Sequence, residues 1–302
     1  MDQRPFWSRE GLDWPNRAAS RFVDAAGMTW HVQVATPPAA RAEAAPVLLL
    51  LHGTGAATHS WAGLLPMLQR YFTVIAPDLP GHGFTSAPPP QRLNLPDMAA
   101  AVTALLKQLD LTPTIVVGHS AGAAILARMC LDGDIDPRVL VSLNGALLPL
   151  SGMRATWFSP AAKLLARGSA APRLVAARAR RDPASVARLA ASTGSRLKPA
   201  GIECYRRLVA CPGHVAAALN MMANWDLVPL QQDLPRLTAD LVLIGCSEDR
   251  TVSCAEAARV HALLPRSRLL TLGGLGHLAH EEEPGAVAAH ILDAAQRAGL
   301  LG

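Results

Sequence analysis

Ile115-Val116-Val117-Gly118-His119-Ser120-Ala121-Gly122-Ala123-Ala124-Ile125-Leu126-Ala127-Arg128-Met129-Cys130-Leu131 joins an apolar run, a Gly-x-Ser-x-Gly turn and an alanine-rich run without a break. The first run is short and rich in β-branched residues, which predicts a buried strand; the last predicts a helix. A turn that passes directly from strand to helix leaves no room for side chains beside its apex. Gly118 and Gly122 remove those side chains, and the strained backbone between them lifts the Ser120 hydroxyl above the sheet. Ser120 is therefore the candidate nucleophile. A serine that merely caps the next helix is common at such a junction, but both glycines and both flanking elements argue against it here.

Three further apolar runs end in the same manner. Val47–Leu51 leads into His52-Gly53-Thr54-Gly55, residues 72–76 into Pro77-Asp78, and Val139–Leu143 into Asn144-Gly145. Continuous apolar runs separated by Ala/Leu-rich helical stretches predict a mostly parallel sheet with crossover helices, whose ligands bind beyond the strand ends. Residues 21–34 predict a leading hairpin that turns near Gly27, followed by a loop over residues 36–46. Strands resume at residues 241–245 and 267–272, and residues 284–297 predict a closing helix with Pro284 in its first turn. Between them, residues 146–232 are helical in pattern and punctuated by Pro160, Pro172, Pro183, Pro199 and Pro212. The expected architecture is an α/β fold with an eight-stranded sheet, built from residues 1–145 and 233–302, into which a helical cap of residues 146–232 is inserted.

A serine hydroxyl needs a base to remove its proton, and the base needs a partner to fix its tautomer. In a strand–turn–helix setting both follow the serine, in the order acid and then histidine. His277 lies in the loop after the last strand, shortly before the closing helix, and is the preferred base. His280 is its rival, but it stands beside Glu281, Glu282 and Glu283 and is expected to order that acidic turn. His82 precedes the serine and is expected to organise the loop after Asp78. For the acid, Asp249 is preferred over Glu248 because Val252 follows it at the spacing that closes such turns. Asn144 occupies the other strand end where an acid could stand, and it carries no charge. The oxyanion formed on attack needs two backbone N–H donors. Thr54, after His52-Gly53, and Ala121, at the start of the helix, are the candidates.

Composition narrows the function further. Of 302 residues, 17% are charged and 4% aromatic, and the formal charge is +5. Residues 146–236 hold 13 Lys/Arg against 4 Asp/Glu, leaving the rest of the chain at net −4. A basic insert with few aromatics is a poor base-stacking surface, so nucleic acid is not an expected partner. No apolar run reaches the roughly 20 residues of a spanning helix, and the first residues lack a secretory apolar core. Cys130, Cys204, Cys211, Cys246 and Cys254 are odd in number and scattered, which fits a reducing cytoplasm and no thiolate metal site. No phosphate loop, dinucleotide fingerprint or metal-ligand motif is present, so neither a cofactor nor a metal is expected.

These motifs, with Ala76-Pro77-Asp78-Leu79-Pro80-Gly81-His82-Gly83, resemble the α/β-hydrolase superfamily over nearly the whole chain. Haloalkane dehalogenases and epoxide hydrolases of that fold carry a carboxylate where Ser120 stands, which disfavours both activities. A narrower resemblance rests on Gly11-Leu12-Asp13-Trp14-Pro15-Asn16-Arg17, Ser142-Leu143-Asn144-Gly145-Ala146, Met221-Met222-Ala223-Asn224-Trp225-Asp226 and Gly276-His277-Leu278-Ala279-His280-Glu281. With His52-Gly53-Thr54-Gly55-Ala56 and the serine turn, they are similar to the magnesium-chelatase accessory proteins of bacteriochlorophyll-making phototrophs. One departure is Cys246, where relatives usually carry a glycine three residues before the acid. The resemblance implies a role near magnesium insertion, with a small-molecule substrate such as a carboxylated magnesium-porphyrin and a contact with magnesium chelatase. A porphyrin site needs an apolar slot edged by cations. His119, Met221, Met222 and Trp225 are the expected substrate contacts, with Arg207, or Arg154 or Arg206, gripping propionates.

Overall fold

A computed structural model describes residues 4–38, 45–149, 170–182 and 184–301. Its sheet has eight strands: β1 (Ser20–Ala25), β2 (Met28–Ala35), β3 (Val47–Leu51), β4 (Thr73–Pro77), β5 (Ile115–His119), β6 (Val139–Leu143), β7 (Asp240–Cys246) and β8 (Arg268–Leu272). Their spatial order is β1-β2-β4-β3-β5-β6-β7-β8. The hairpin β1–β2 and the β2–β4 pair are antiparallel, and every other pairing is parallel. The chain leaves β3 for β4 on one side and returns to β5 on the other, so the strand order reverses at β3. A crevice opens at such a reversal beyond the carboxyl ends of the strands. Thr54 follows β3 and Ser120 follows β5 across it, with Leu51 paired to Gly118 in register.

The twelve described helices are α1 (Trp7–Glu10), α2 (Leu64–Leu68), α3 (Leu95–Leu109), α4 (Ala121–Leu131), α5 (Ala170–Arg181), α6 (Ala184–Ser192), α7 (Pro199–Val209), α8 (Pro212–Asn224), α9 (Val228–Asp233), α10 (Cys254–Leu263), α11 (Ala279–Glu282) and α12 (Pro284–Arg297). Successive residues of a strand face opposite sides, and both sides are covered here. Leu49 and Leu51 pack with α3 and α4, whereas Leu48 and Leu50 pack with α2 and α12. Burial on both faces explains why the central strands are unbroken apolar runs rather than alternating ones. The five described helices α5–α9 follow β6 and precede β7. Arg154, Pro160 and Pro183 lie outside the described residues.

Candidate active site

The turn after β5 is as tight as its glycines require. A Cβ on Gly118 would lie 2.3 Å from the Ala123 nitrogen, and one on Gly122 would lie 2.2 Å from the Leu51 carbonyl oxygen. Ser120 takes φ 52° and ψ −118°, a conformation that L residues rarely hold. Its backbone is fixed on both sides, with the Ser120 N–H donating to Leu143 O and Ser120 O accepting from Ala123 and Ala146. The side chain is left partly exposed in a surround that is otherwise buried. The loop after β3 packs against it, since a Cβ on Gly53 would come within 2.9 Å of the Ser120 Cβ. Among the described residues, no partner accepts from the Thr54 or Ala121 amide.

Two turns from neighbouring strands meet beside the serine. The Asp249 carboxylate accepts from His277 Nδ1 at 2.7 Å through one oxygen, and from the Thr251 and Val252 amides at 2.7 and 2.9 Å through the other. That bond places a proton on Nδ1 and leaves Nε2 as the ring nitrogen that faces away from the acid. Neither Ser120 Oγ nor His277 Nε2 has a hydrogen-bond partner among the described residues. His277 is brought against the serine turn by two contacts that sequence reasoning did not anticipate. His119 Nε2 donates to His277 O at 2.9 Å, with the two rings 4.6 Å apart. The Asn144 amide donates to Gly276 O and His277 O at 3.1 and 3.0 Å. A polar residue at the end of β6 was visible in the sequence; what it bonds was not.

Residues 48–290 match the family described as "Alpha/beta hydrolase family". The chain belongs to that family. It is 38% identical over 284 residues to the "Magnesium-chelatase 30 kDa subunit" of Rhodobacter capsulatus, covering 93% of this chain and 96% of that one. It is 28% identical to the "Pyrrolizixenacetamide deacetylase" of Xenorhabdus hominickii, over 79% of this chain and 86% of that one. Among solved structures, an alpha/beta hydrolase fold protein from Burkholderia ambifaria superposes with a TM-score of 0.73 at 21% identity, covering 91% of this chain and 99% of that one. That last likeness concerns the fold alone.

The other expected site residues of this alpha/beta hydrolase family member divide into three groups. Met221 is fully buried, and the Thr54 hydroxyl donates to its sulfur at 3.5 Å, so α8 lies on the loop that carries Thr54. His214, also on α8, accepts from the Gly83 amide and donates to Gly55 O, both at 3.1 Å. Met222 and Trp225 are partly buried, and the Trp225 indole N–H is buried without a partner among the described residues. Three expectations are corrected. His119 is 2% exposed and lies beneath the serine turn, where it holds His277. Arg207 is not a free cation: it pairs with Asp13 and Glu203 and donates to Glu10 O, which ties α7 to the N-terminal segment. Arg206 is likewise held by Glu203 at 2.6 Å. His280 does not order the acidic turn; it is fully buried and stacks on Trp61 and His119 with ring centroids at 4.6 and 4.5 Å. Glu248 is exposed, its carboxylate bonded to Ser247 Oγ.

Burial sets the charge state of this region. It pushes His59 and His280 from 6.5 down to about 3 and His214 to about 4. Each is neutral in the fold but binds a proton when the chain unfolds below pH 6.5. Stability from these groups is therefore full above 6.5 and lost as pH falls toward 3–4, at about 1.4 kcal/mol per pH unit for each. Glu281 acts in the opposite sense. Burial raises it to about 8, although the Tyr205 hydroxyl at 2.7 Å pulls it down, so its contribution is full below 4.5 and lost as pH rises through 8. Burial lowers His52, His82 and His119 in the same sense. Six histidines thus oppose one glutamate between pH 6.5 and 4.5, and unfolding free energy is expected to fall as pH drops through that window. Urea denaturation at pH 7, 6 and 5 checks this, and a constant midpoint would refute it.

Proposed function

We propose that the protein is a serine hydrolase acting on an ester or another acyl-type bond. Ser120 Oγ attacks the carbonyl carbon while His277 Nε2 takes its proton, and Asp249 stabilises the imidazolium so formed. The Thr54 and Ala121 amides hold the oxyanion, each such donor contributing on the order of 10²- to 10³-fold. His277 then gives the proton to the leaving group, and water releases the acyl group from Ser120 by the same steps. The observation that carries this reading is the 2.7 Å Asp249–His277 bond beside a serine held at φ 52°. That Ser120 and His277 are not yet bonded fits a site whose hydrogen bonds tighten when substrate arrives.

The substrate we assign is a carboxylated magnesium-porphyrin, processed in the cytoplasm during bacteriochlorophyll synthesis beside magnesium chelatase. Identity of 38% over nearly the full length of a protein named as a magnesium-chelatase subunit supports this. So does the apolar end of α8, where Met222 and Trp225 are partly buried beside the buried Met221. With Arg206 and Arg207 already paired, recognition would rest on these apolar side chains more than on those two cations. Magnesium-protoporphyrin is expected to quench tryptophan fluorescence at micromolar concentration, and Met222→Ala to weaken binding about fivefold through lost apolar contact. Absence of quenching would overturn the substrate class. A second reading follows from the relative's name as a subunit: the protein serves chelatase by contact, without hydrolysis. Metabolite analysis of cells lacking the protein, complemented with Ser120→Ala, separates the two. Catalysis requires the same tetrapyrrole to accumulate as in the null strain; contact alone predicts full rescue.

A further inference from the structure

The described insert meets the acid and base turns through one short segment. Helix α6 ends at Ser192, and Gly194 at φ +89° turns the chain out of the helix. The carbonyl of Thr193 accepts from two amides at once: Arg250, next to Asp249, at 3.0 Å, and His277 itself at 3.4 Å. Two residues on, the Ser195 hydroxyl accepts from the Leu278 amide at 2.8 Å, and Ser195 is 3% exposed. The Glu282 carboxylate completes the seam by accepting from the Arg196 amide at 3.0 Å and the Gly276 amide at 2.9 Å. Consecutive amides of the base turn, Gly276, His277 and Leu278, are thus all tied to residues 193–196, the first of them through Glu282.

The three backbones also touch. A Cβ on Gly194 would lie 1.8 Å from Glu248 O, and one on Gly276 would lie 2.4 Å from the Gly194 carbonyl carbon. The acid and base turns also have a direct link of their own, Glu248 N–H to Leu275 O at 3.0 Å. The two turns are therefore joined both to each other and, through residues 193–196, to the insert.

We propose that Gly194 and Ser195 are positioning residues of the insert that hold the His277 turn against the Asp249 turn, coupling the cap to the catalytic base. This rests on the assignment of His277 as the base. A molecule seated under α6–α8 then bears on the base through this seam as well as through direct contact. The strength of the coupling follows from geometry: misplacing a reacting group by about 1 Å costs on the order of 10²-fold in rate. It follows, too, from burial, because a Leu278 amide stripped of its acceptor has no water to turn to.

The test compares native protein with Ser195→Ala, Ser195→Thr, which keeps the acceptor, and Ser192→Ala, a control whose hydroxyl bonds only Leu189 O at the exposed end of α6. The first readout is the downfield proton resonance of the His277–Asp249 hydrogen bond, which needs no substrate. The second is the rate of labelling by a fluorophosphonate. Ser195→Ala is expected to shift or broaden the resonance and to slow labelling by tenfold to a hundredfold, with the folded state retained by circular dichroism. Ser195→Thr is expected to restore both, and Ser192→Ala to change neither. Native-like resonance and labelling in Ser195→Ala would overturn the positioning role. Absence of both signals from native protein would instead overturn the base assignment beneath it.

Discussion

Ser120→Ala is expected to abolish fluorophosphonate labelling and to lower hydrolysis of any ester the protein cleaves by about 10⁶-fold, the scale of losing a nucleophile that acts as one unit with its base. The fold should survive, because the φ of 52° is imposed by the bonds to Leu143, Ala123 and Ala146 and not by the side chain. Alanine meets the same backbone strain as serine. His277→Ala is expected to match this loss, since a neutral hydroxyl without its base is a weak nucleophile. His280→Ala separates chemistry from packing. Its ring is fully buried between Trp61 and His119, so its removal should lower the melting temperature while labelling at Ser120 persists. Labelling that survives in Ser120→Ala would assign the reaction to another residue. Equal losses for His277→Ala and His280→Ala in stable protein would remove the preference between them.

The strands were legible because their burial is complete. β4, β5 and β6 are buried at every position and β3 at all but its first, so an unbroken apolar run marks each, and the expected ends differ from the observed ones by a residue or two. The serine turn was legible for a different reason: backbone approaches near 2.2 Å leave glycine as the residue that fits on either side. What sequence could not show were partners distant along the chain. Asn144 was visible as an uncharged residue where an acid could stand, yet its bond to the His277 carbonyl spans 133 positions. The arginine count of the insert was correct as charge, but a count carries no information on pairing. Arg207 finds Asp13, 194 positions away, and so ceases to be a free cation. His280 misled through its neighbours: one turn of helix places it inward, while Glu282 of the same turn reaches the Gly276 and Arg196 amides.

Asp249→Asn is expected to lower turnover by about 10⁴-fold, and Glu248→Gln to leave it within a few-fold. The size of the first effect comes from what an amide must do in that position. One carboxylate oxygen of Asp249 accepts from the Thr251 and Val252 amides, and asparagine keeps those bonds only by placing its carbonyl oxygen there. Its NH₂ group then faces His277 Nδ1, which must become an acceptor and move its own proton to Nε2. A ring protonated at Nε2 has no lone pair to take the Ser120 proton, and the charge that would have stabilised the imidazolium is gone as well. Asn144 offers no substitute, since its amide already donates to the carbonyls of residues 276 and 277. Glu248 lies on the solvent side of the turn with its carboxylate on Ser247 Oγ, so neutralising it leaves the tautomer of His277 untouched. The reverse ranking, with Glu248→Gln the more damaging, would transfer the acid's role to Glu248. It would also mean that the 2.7 Å bond from Asp249 orients the ring without supplying the charge.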